Sequence, residues 1–331
     1  MISRAARGGA EMPPVLRLLA PGGTLAGPEL ARRLGVSRAA VWKQIDALRR
    51  AGLEIVSGAD GYRLVRPLDL LDVARVRAGL PAAARRRIGI IENYWRLDST
   101  SSELARRVTA LPDLSFVFAD WQQAGRGRRG RQWLSPPAAN LQVSCLKRFA
   151  NGYAALSGLS LAAGVAAARA LGDCGVPGVA LKWPNDLVCG DAKLGGVLVE
   201  LGGEFMGPCH AIIGIGINVH LPEALRCVLG RACADLAGLC DGVAPARNRL
   251  AAALIARLVN DLDAFDERGF SACVSAWAER DALAGRAIRI EDPRGAFEGT
   301  AAGVDARGAL QVCTSAGVRS IDSGEVTVRP A

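Results

Sequence analysis

Between Gln122 and Trp133 the chain reads Gln-Gln-Ala-Gly-Arg-Gly-Arg-Arg-Gly-Arg-Gln-Trp, with four arginines (Arg126, Arg128, Arg129 and Arg131) inside six residues. The glycines match G-x-G-x-x-G, but that dinucleotide fingerprint must open a helix, and Pro136 and Pro137 follow too soon. Guanidinium groups this dense repel one another in an empty loop, whereas phosphates neutralise them and order the backbone. The string is therefore expected to be a lid that closes over an anion, a solvated basic loop being the alternative. Downstream, Lys182-Trp183-Pro184-Asn185-Asp186 sets an amide and a carboxylate in a turn at a strand end, suited to a metal-bound nucleotide or simply an ordinary β-turn. Lys193 opens the apolar run 193–200 and so belongs at the rim of a strand. The spaced glycines of Gly214-Ile215-Gly216-Ile217-Asn218-Val219 admit close approach of another chain or a ligand. Finally Leu97-Asp98-Ser99-Thr100-Ser101 leads into a helix whose hydroxyls and free N–H groups suit a neutral polar ligand group.

These residues must be held by a mixed scaffold. From 88 to 283, strands are expected at 88–94, 115–120, 141–146, 179–183, 193–201 and 209–219, and helices at 101–110, 152–171, 247–265 and 270–280. Several strands follow one another directly, so the sheet is mixed or antiparallel and the class α+β. Short strands separated by Gly and Asp after Arg286 describe a small β-barrel. Residues 1–66 form a separate pattern. Helices are expected at 15–19 and 28–34, the second stopped by Gly35, and Ser37 is a good N-cap for a third over 38–50. Val41, Ile45 and Leu48 make one apolar face of that helix, leaving Arg38, Trp42, Lys43 and Arg49 largely off it. A hairpin with its turn at 57–61 completes a winged helix-turn-helix, read as DNA-binding through Ser37, Arg38, Trp42 and Lys43. The alternative is a three-helix bundle with a solvated basic face. Residues 67–87, with Pro67, Pro81, a short helix and an Arg run, are expected to be a linker.

Composition narrows the function. The chain has 331 residues, half of them apolar, a mean hydropathy of +0.19 and a formal charge of +9. Residues 1–66 carry eleven Arg and Lys against five Asp and Glu, which places +6 of that excess in the first fifth. Met1–Ala10 is polar and arginine-bearing, so no secretory leader is expected, and the Ala-rich window 153–171 reads as a buried helix rather than a membrane span. A cytoplasmic protein is expected. Nine cysteines without a C-x-x-C pair and only two histidines, His210 and His220, argue against a disulfide framework, a zinc site or a Ser-His-Asp machine. Each cysteine is read as a small core residue.

Taken in order, these motifs closely resemble the bifunctional biotin–protein ligases that also repress the biotin operon, nearly end to end. The 125–133 string is similar to the family's biotin and adenylate loop. Lys182–Asp186, the Lys193 strand and the glycine strand are similar to its other signatures, Ser37–Ala40 and the hairpin to its operator-binding domain, and Gly324–Arg329 to the end of its C-terminal barrel. The resemblance implies three units: a winged helix-turn-helix (1–66) joined by a linker (67–87) to a synthetase-like catalytic domain of class II type (88–283), and an SH3-like barrel (284–331). It implies that Ser99, Thr100, Ser101, Gln122, Arg126, Gly127, Arg128 and Lys193 bind biotin and its adenylate, with Lys193, Arg126 and Arg128 catalytic. Arg129, Arg131, Trp133, Lys182, Asn185, Asp186, Asn218 and Arg329 would serve ATP, with Mg²⁺ near Asp186. Its implied partners are the biotin carboxyl carrier protein of acetyl-CoA carboxylase, operator DNA and a second copy of the chain, recruited by biotinyl-5′-AMP. Ser101 is a departure, since the family usually carries Asn there. A lipoate or octanoyl ligase on the same fold, or a small-molecule-sensing regulator without catalysis, are the alternative readings.

Overall fold

The computed structural model describes residues 11–328 other than 229, 231, 293–294 and 323–324. At the N-terminal end, α1 (Pro14–Leu19), α2 (Gly27–Leu34) and α3 (Arg38–Arg50) precede a hairpin of β1 (Ile55–Gly58) and β2 (Gly61–Leu64), paired Ile55 to Leu64 and Gly58 to Gly61. Gly35 ends α2 in the left-handed conformation at φ +65°, which a side chain would resist. Ser37 Oγ accepts the Ala40 N–H at 3.2 Å and starts α3 where expected. Val41, Ile45 and Leu48 are buried with Val15, Leu16, Leu19 and Leu30. Arg49, expected to lie off this stripe, braces the hairpin: it donates to Ile55 O and Ser57 Oγ, both at 2.8 Å.

The segment 67–87 forms α4 (Val73–Ala78) and α5 (Ala82–Arg87), both packed against the long helix α10 (Arg247–Arg268). Asp72 caps α4 by accepting from Ala74 N at 2.8 Å.

The central sheet contains β3 (Ile91–Leu97), β4 (Ser115–Gln122), β5 (Asn140–Phe149), β6 (Ala180–Lys182), β7 (Asp186–Cys189), β8 (Ala192–Gly203) and β9 (Cys209–Asn218). Its spatial order is β3-β4-β5-β9-β8-β7-β6; β3 and β4 are parallel and every other pair antiparallel, which gives the expected mixed sheet. Helix α6 (Thr100–Arg106) follows β3 directly. Helix α7 (Leu159–Asp173) is the Ala-rich window, and eleven of its fifteen residues are buried between the sheet and α10. Small side chains let these layers approach closely, which explains a core with few aromatics. Among the described residues no helix is long and apolar enough to cross a membrane.

Some boundaries differ from expectation. The single helix expected over 152–171 is a 3₁₀ turn at Tyr153–Ala155 followed by α7, because Gly158 takes φ +81° between them. The helix expected over 270–280 shortens to a 3₁₀ turn and α11 (Val274–Ala278). Strand β7 was not expected; four residues after a turn give almost no periodicity. Two short helices before α10, α8 (Glu223–Val228) and α9 (Leu236–Leu239), were also missed. The cysteine expectation holds only in part: Cys145, Cys174, Cys209 and Cys273 are buried, but Cys227 and Cys313 are exposed, and none is in a disulfide.

C-terminal to α11 lie β10 (Ala287–Asp292), β11 (Gly295–Val304), β12 (Leu310–Thr314), β13 (Gly317–Ile321) and β14 (Glu325–Val328), a small antiparallel sheet ordered β13-β12-β11-β10-β14.

Candidate active site

The register brings the singled-out motifs to one end of the sheet. Parallel pairing aligns Leu97 with Gln122, so the chain leaving β3 delivers Ser99–Ser101 beside the end of β4. Antiparallel pairing sets Asn140 opposite Asn218 and Ser144 opposite Gly214, and Gly195 opposite Ile217 brings in the start of β8. The resulting cleft, about 360 Å³, is lined by Ser99, Thr100, Ser101, Gln122, Arg126, Gly127, Arg128, Arg129, Arg131, Trp133, Lys182, Asn185, Asp186 and Lys193 among others.

One wall is a buried chain of hydroxyls. Gln122 Oε1 accepts from Thr100 N at 2.7 Å and from Thr100 Oγ1 at 3.0 Å; Ser144 Oγ lies 2.7 Å from Thr100 Oγ1 and 2.9 Å from Ser101 Oγ. The backbone N–H pins the amide orientation, so Thr100 must give its proton to Gln122. Ser144 then donates to Thr100 and Ser101 to Ser144, since each hydroxyl has one proton. The hydroxyl protons of Thr100, Ser144 and Ser101 are thus spent inside this chain, to which Ser99 does not belong. What remains for a ligand is oxygen lone pairs and the Gln122 amide N–H groups, a pattern that accepts from N–H and donates to C=O.

The opposite wall is cationic. The arginine string is a small hairpin: Trp133 N donates to Gly125 O at 2.9 Å and Gly127 N to Arg131 O at 2.7 Å, with a 3₁₀ turn at Arg128–Gly130. It opens no helix, as the prolines required. A Cβ on Gly125 would stand 2.5 Å from Trp133 O, so that glycine is what lets the loop close on itself. Arg126 pairs with Glu200 at 2.7 Å, and Arg128 Nη1 is 3.5 Å from Asn185 Oδ1. Six cationic side chains face the cleft against the carboxylates of Asp186 and Asp191. Lys193 is ion-paired to Asp186. Asn185 Nδ2 donates to Val197 O at 2.8 Å and Val197 N to Asn185 O at 2.9 Å, which staples the 183–185 turn to β8.

The spaced glycines of β9 make room for the chain's own side chains. A Cβ on Gly214 would lie 2.9 Å from Ser101 Oγ, and one on Gly216 would lie 2.6 Å from the Trp133 indole.

Not every expected residue is in the cleft. Asn218 is buried beneath it and does not line it: its Nδ2 donates to Ala234 O at 3.0 Å and Lys193 O at 3.4 Å, bracing the backbone that carries Lys193. Arg329 lies outside the described residues. Ser37, Arg38, Trp42 and Lys43 are on the N-terminal unit and do not line the cleft; all are exposed, with Trp42 at 54%. Sequence reasoning missed Gln142 and Ser144, although Asn140, Gln142 and Ser144 alternate with apolar residues in the first half of β5 and signalled a polar face. It also passed over Trp183 and Asp191 as lining residues. Burial holds both histidines below their ordinary pKa, and neither lines the cleft.

Family models fit this arrangement in three pieces: the biotin/lipoate A/B protein ligase family over residues 95–218, an HTH domain over 15–63, and the biotin protein ligase C-terminal domain over 284–329. The bifunctional ligase/repressor BirA of Salmonella typhimurium is 36% identical over 318 residues, 96% of this chain and 97% of that protein. The chain belongs to the bifunctional biotin ligase/repressor family. The Escherichia coli member is 35% identical over the same shares of both chains. Among solved structures, the biotin protein ligase of Aquifex aeolicus in complex with biotin and ATP superposes with a TM-score of 0.61 at 26% identity, covering 73% of this chain and 99% of that one. This ligase thus combines an N-terminal helix-turn-helix unit, a mixed-sheet catalytic domain and a small antiparallel C-terminal domain.

Proposed function

We propose that the cleft joins biotin to ATP and passes the biotinyl group to a protein lysine. The observation that carries this reading is the meeting, in one cleft, of a proton-committed hydroxyl wall with an arginine hairpin and Lys193. A cyclic urea offers two N–H donors and one carbonyl, the complement of what Ser101, Thr100, Ser144 and Gln122 leave available.

Biotin's carboxylate is ionised at neutral pH and attacks the α-phosphorus of ATP without a general base, with pyrophosphate as the leaving group. Arg126, Arg128, Arg129 and Lys193 stabilise the charge that develops on the phosphoryl oxygens. Asp186 and Asp191, both lining the cleft, would meet the Mg²⁺ that arrives on the triphosphate. The adenylate is a mixed anhydride that water destroys, and the 125–133 hairpin excludes water from it. In the second half, the amine of an acceptor lysine on the biotin carboxyl carrier protein attacks the activated carbonyl and AMP leaves. The same adenylate acts as corepressor by promoting a homodimer that sets two α3 helices about one DNA turn apart, with Arg38, Trp42 and Lys43 facing operator DNA in the cytoplasm.

Biotin-dependent exchange of pyrophosphate into ATP tests the first half, with mass spectrometry of the released biotinyl-adenylate. Exchange that responds to lipoate or octanoate and not to biotin, or no exchange at all, overturns the reading.

A further inference from the structure

Helix α6 carries part of the hydroxyl wall, yet it has only seven residues, too few for a helix to hold itself in water. Its N-cap residue, Ser99, makes no capping bond through its side chain, although serine is favoured at that position for accepting a backbone N–H. Ser99 is buried and lines the cleft. The start of the helix is held from outside the cleft instead. Asp98 Oδ1 accepts from Ser99 N at 2.7 Å. Arg106, the last residue of α6, reaches back along the helix and grips that carboxylate with two nitrogens, Nη1 to Oδ2 at 2.7 Å and Nη2 to Oδ1 at 3.0 Å. Glu103, only 1% exposed, aims the guanidinium, since its Oε2 accepts from Arg106 Nη2 at 2.7 Å. The other Glu103 oxygen accepts from Arg107 Nη1 at 3.2 Å, and Arg107 in turn grips Glu92 on β3 at 2.6 and 3.2 Å. The backbone of Asp98 is fixed as well, its carbonyl accepting from Ala124 N at 2.9 Å at the root of the arginine hairpin. The Arg106 guanidinium holds the Asp98 carboxyl below its ordinary pKa, so the pair stays charged at neutral pH. None of Asp98, Glu103, Arg106 and Arg107 lines the cleft.

We propose that Asp98 and Arg106 form a strap that positions the vitamin half of the cleft. Tying the two ends of α6 together by an ion pair relieves Ser99 of capping, which leaves its hydroxyl for the ligand and fixes Thr100 N against Gln122. Both are positioning residues that act through Ser99 and Thr100. Asp186 and Lys193 stand on β7 and β8, beyond the three strands β4, β5 and β9 on which α6 packs, so the strap acts on biotin and leaves ATP alone. This rests on the ligase reading, in which the hydroxyl wall takes the vitamin's ring.

The test measures biotin affinity by calorimetry, and KM for ATP in pyrophosphate exchange at saturating biotin, on the full chain. Arg106→Ala removes the strap and weakens biotin about three- to fivefold, the effect expected of a bidentate pair whose side chains are each 47% exposed. Asp98→Ala also removes the acceptor of the Ser99 N–H and weakens biotin about tenfold. Arg106→Lys keeps the charge but cannot grip both carboxylate oxygens, and it recovers part of the loss. In every variant KM for ATP and the exchange rate at saturating biotin stay within about twofold of wild type. The double variant Asp98→Ala/Arg106→Ala is no weaker than Asp98→Ala alone, because both act through one pair. Equal losses for both substrates, losses that multiply in the double variant, or an unchanged biotin affinity overturn the proposal. Should Asp98→Ala not fold, the two Arg106 variants decide alone. A wild type without biotin-dependent exchange overturns the ligase reading and the strap together; a competent wild type whose variants show no split overturns the strap only.

Discussion

Lys193 and Asp281 show two opposite uses of a charged side chain. Lys193 stands at the cleft with a carboxylate beside it and is braced through its backbone by Asn218. Lys193→Ala removes a cation from the developing phosphoryl charge, so pyrophosphate exchange is expected to fall about 10²-fold or more. Melting is expected to shift by no more than about 4 °C, which calorimetry reads beside the exchange assay. Asp281 is far less well served: Oδ1 accepts from Leu283 N at 2.8 Å, but Oδ2 is buried with no partner. Burial raises its pKa, the Leu283 N–H opposing. A carboxyl whose folded pKa is raised favours folding in acid, and that contribution is lost as pH rises through the window between the ordinary and the raised value. Asp281→Asn keeps the acceptor and removes the charge. Its stability relative to wild type is therefore expected to increase from acid to neutral pH, measured by denaturant unfolding at each pH. A flat or falling difference refutes the assignment.

At the scale of elements, α3 was legible because three independent signals agreed: a stop at Gly35, a cap at Ser37 and an apolar stripe at 41, 45 and 48. Ser37→Ala should cost about 1 kcal/mol in the unfolding of the N-terminal unit, with the catalytic rate unchanged. Parallel melting of both units at an unaltered temperature would speak against it. The arginine hairpin was legible in composition but not in shape. Its charge density makes an anion the expectation, yet its shape rests on Gly125 passing Trp133 and on Arg129 at φ +56°, conditions set by contacts across the loop. Strand β7 and the short helices before α10 were not legible, because so few residues carry no usable period. The glycine spacing of β9 was visible, but its beneficiaries, Ser101 and Trp133, are distant in sequence. Ser101, where the family usually carries Asn, joins the wall as a donor to Ser144.

Across the whole molecule, Arg247 ties the segment joining the N-terminal unit to the catalytic sheet. Only 1% exposed, it donates to Asp120 Oδ1 and to Asp69 O, each at 2.7 Å, and to Asn140 O at 3.1 Å. Asp120 lies two residues before Gln122 on β4, so this buried ion pair connects residues 67–87 with the strand that ends in the hydroxyl wall. Arg247→Leu leaves the buried Asp120 carboxylate without its counter-charge, with only Asn93 Nδ2 still donating to it at 3.1 Å, and a loss of about 3–5 kcal/mol is expected on denaturation; a loss under about 1 kcal/mol would show that the pair is dispensable. The amino-acid sequence alone determined the class of fold, the order of the units, the basic helix α3 and most of the polar residues of the cleft, because each is written in local period, capping chemistry or charge density. Only the tertiary structure decided that Asn218 is a brace, that Gln142 lines the cleft with Ser144 buried behind the hydroxyls, and that a turn of the C-terminal sheet grips Trp183. Those roles depend on which strands become neighbours, and strand order is set by packing over long sequence separations that no local pattern records.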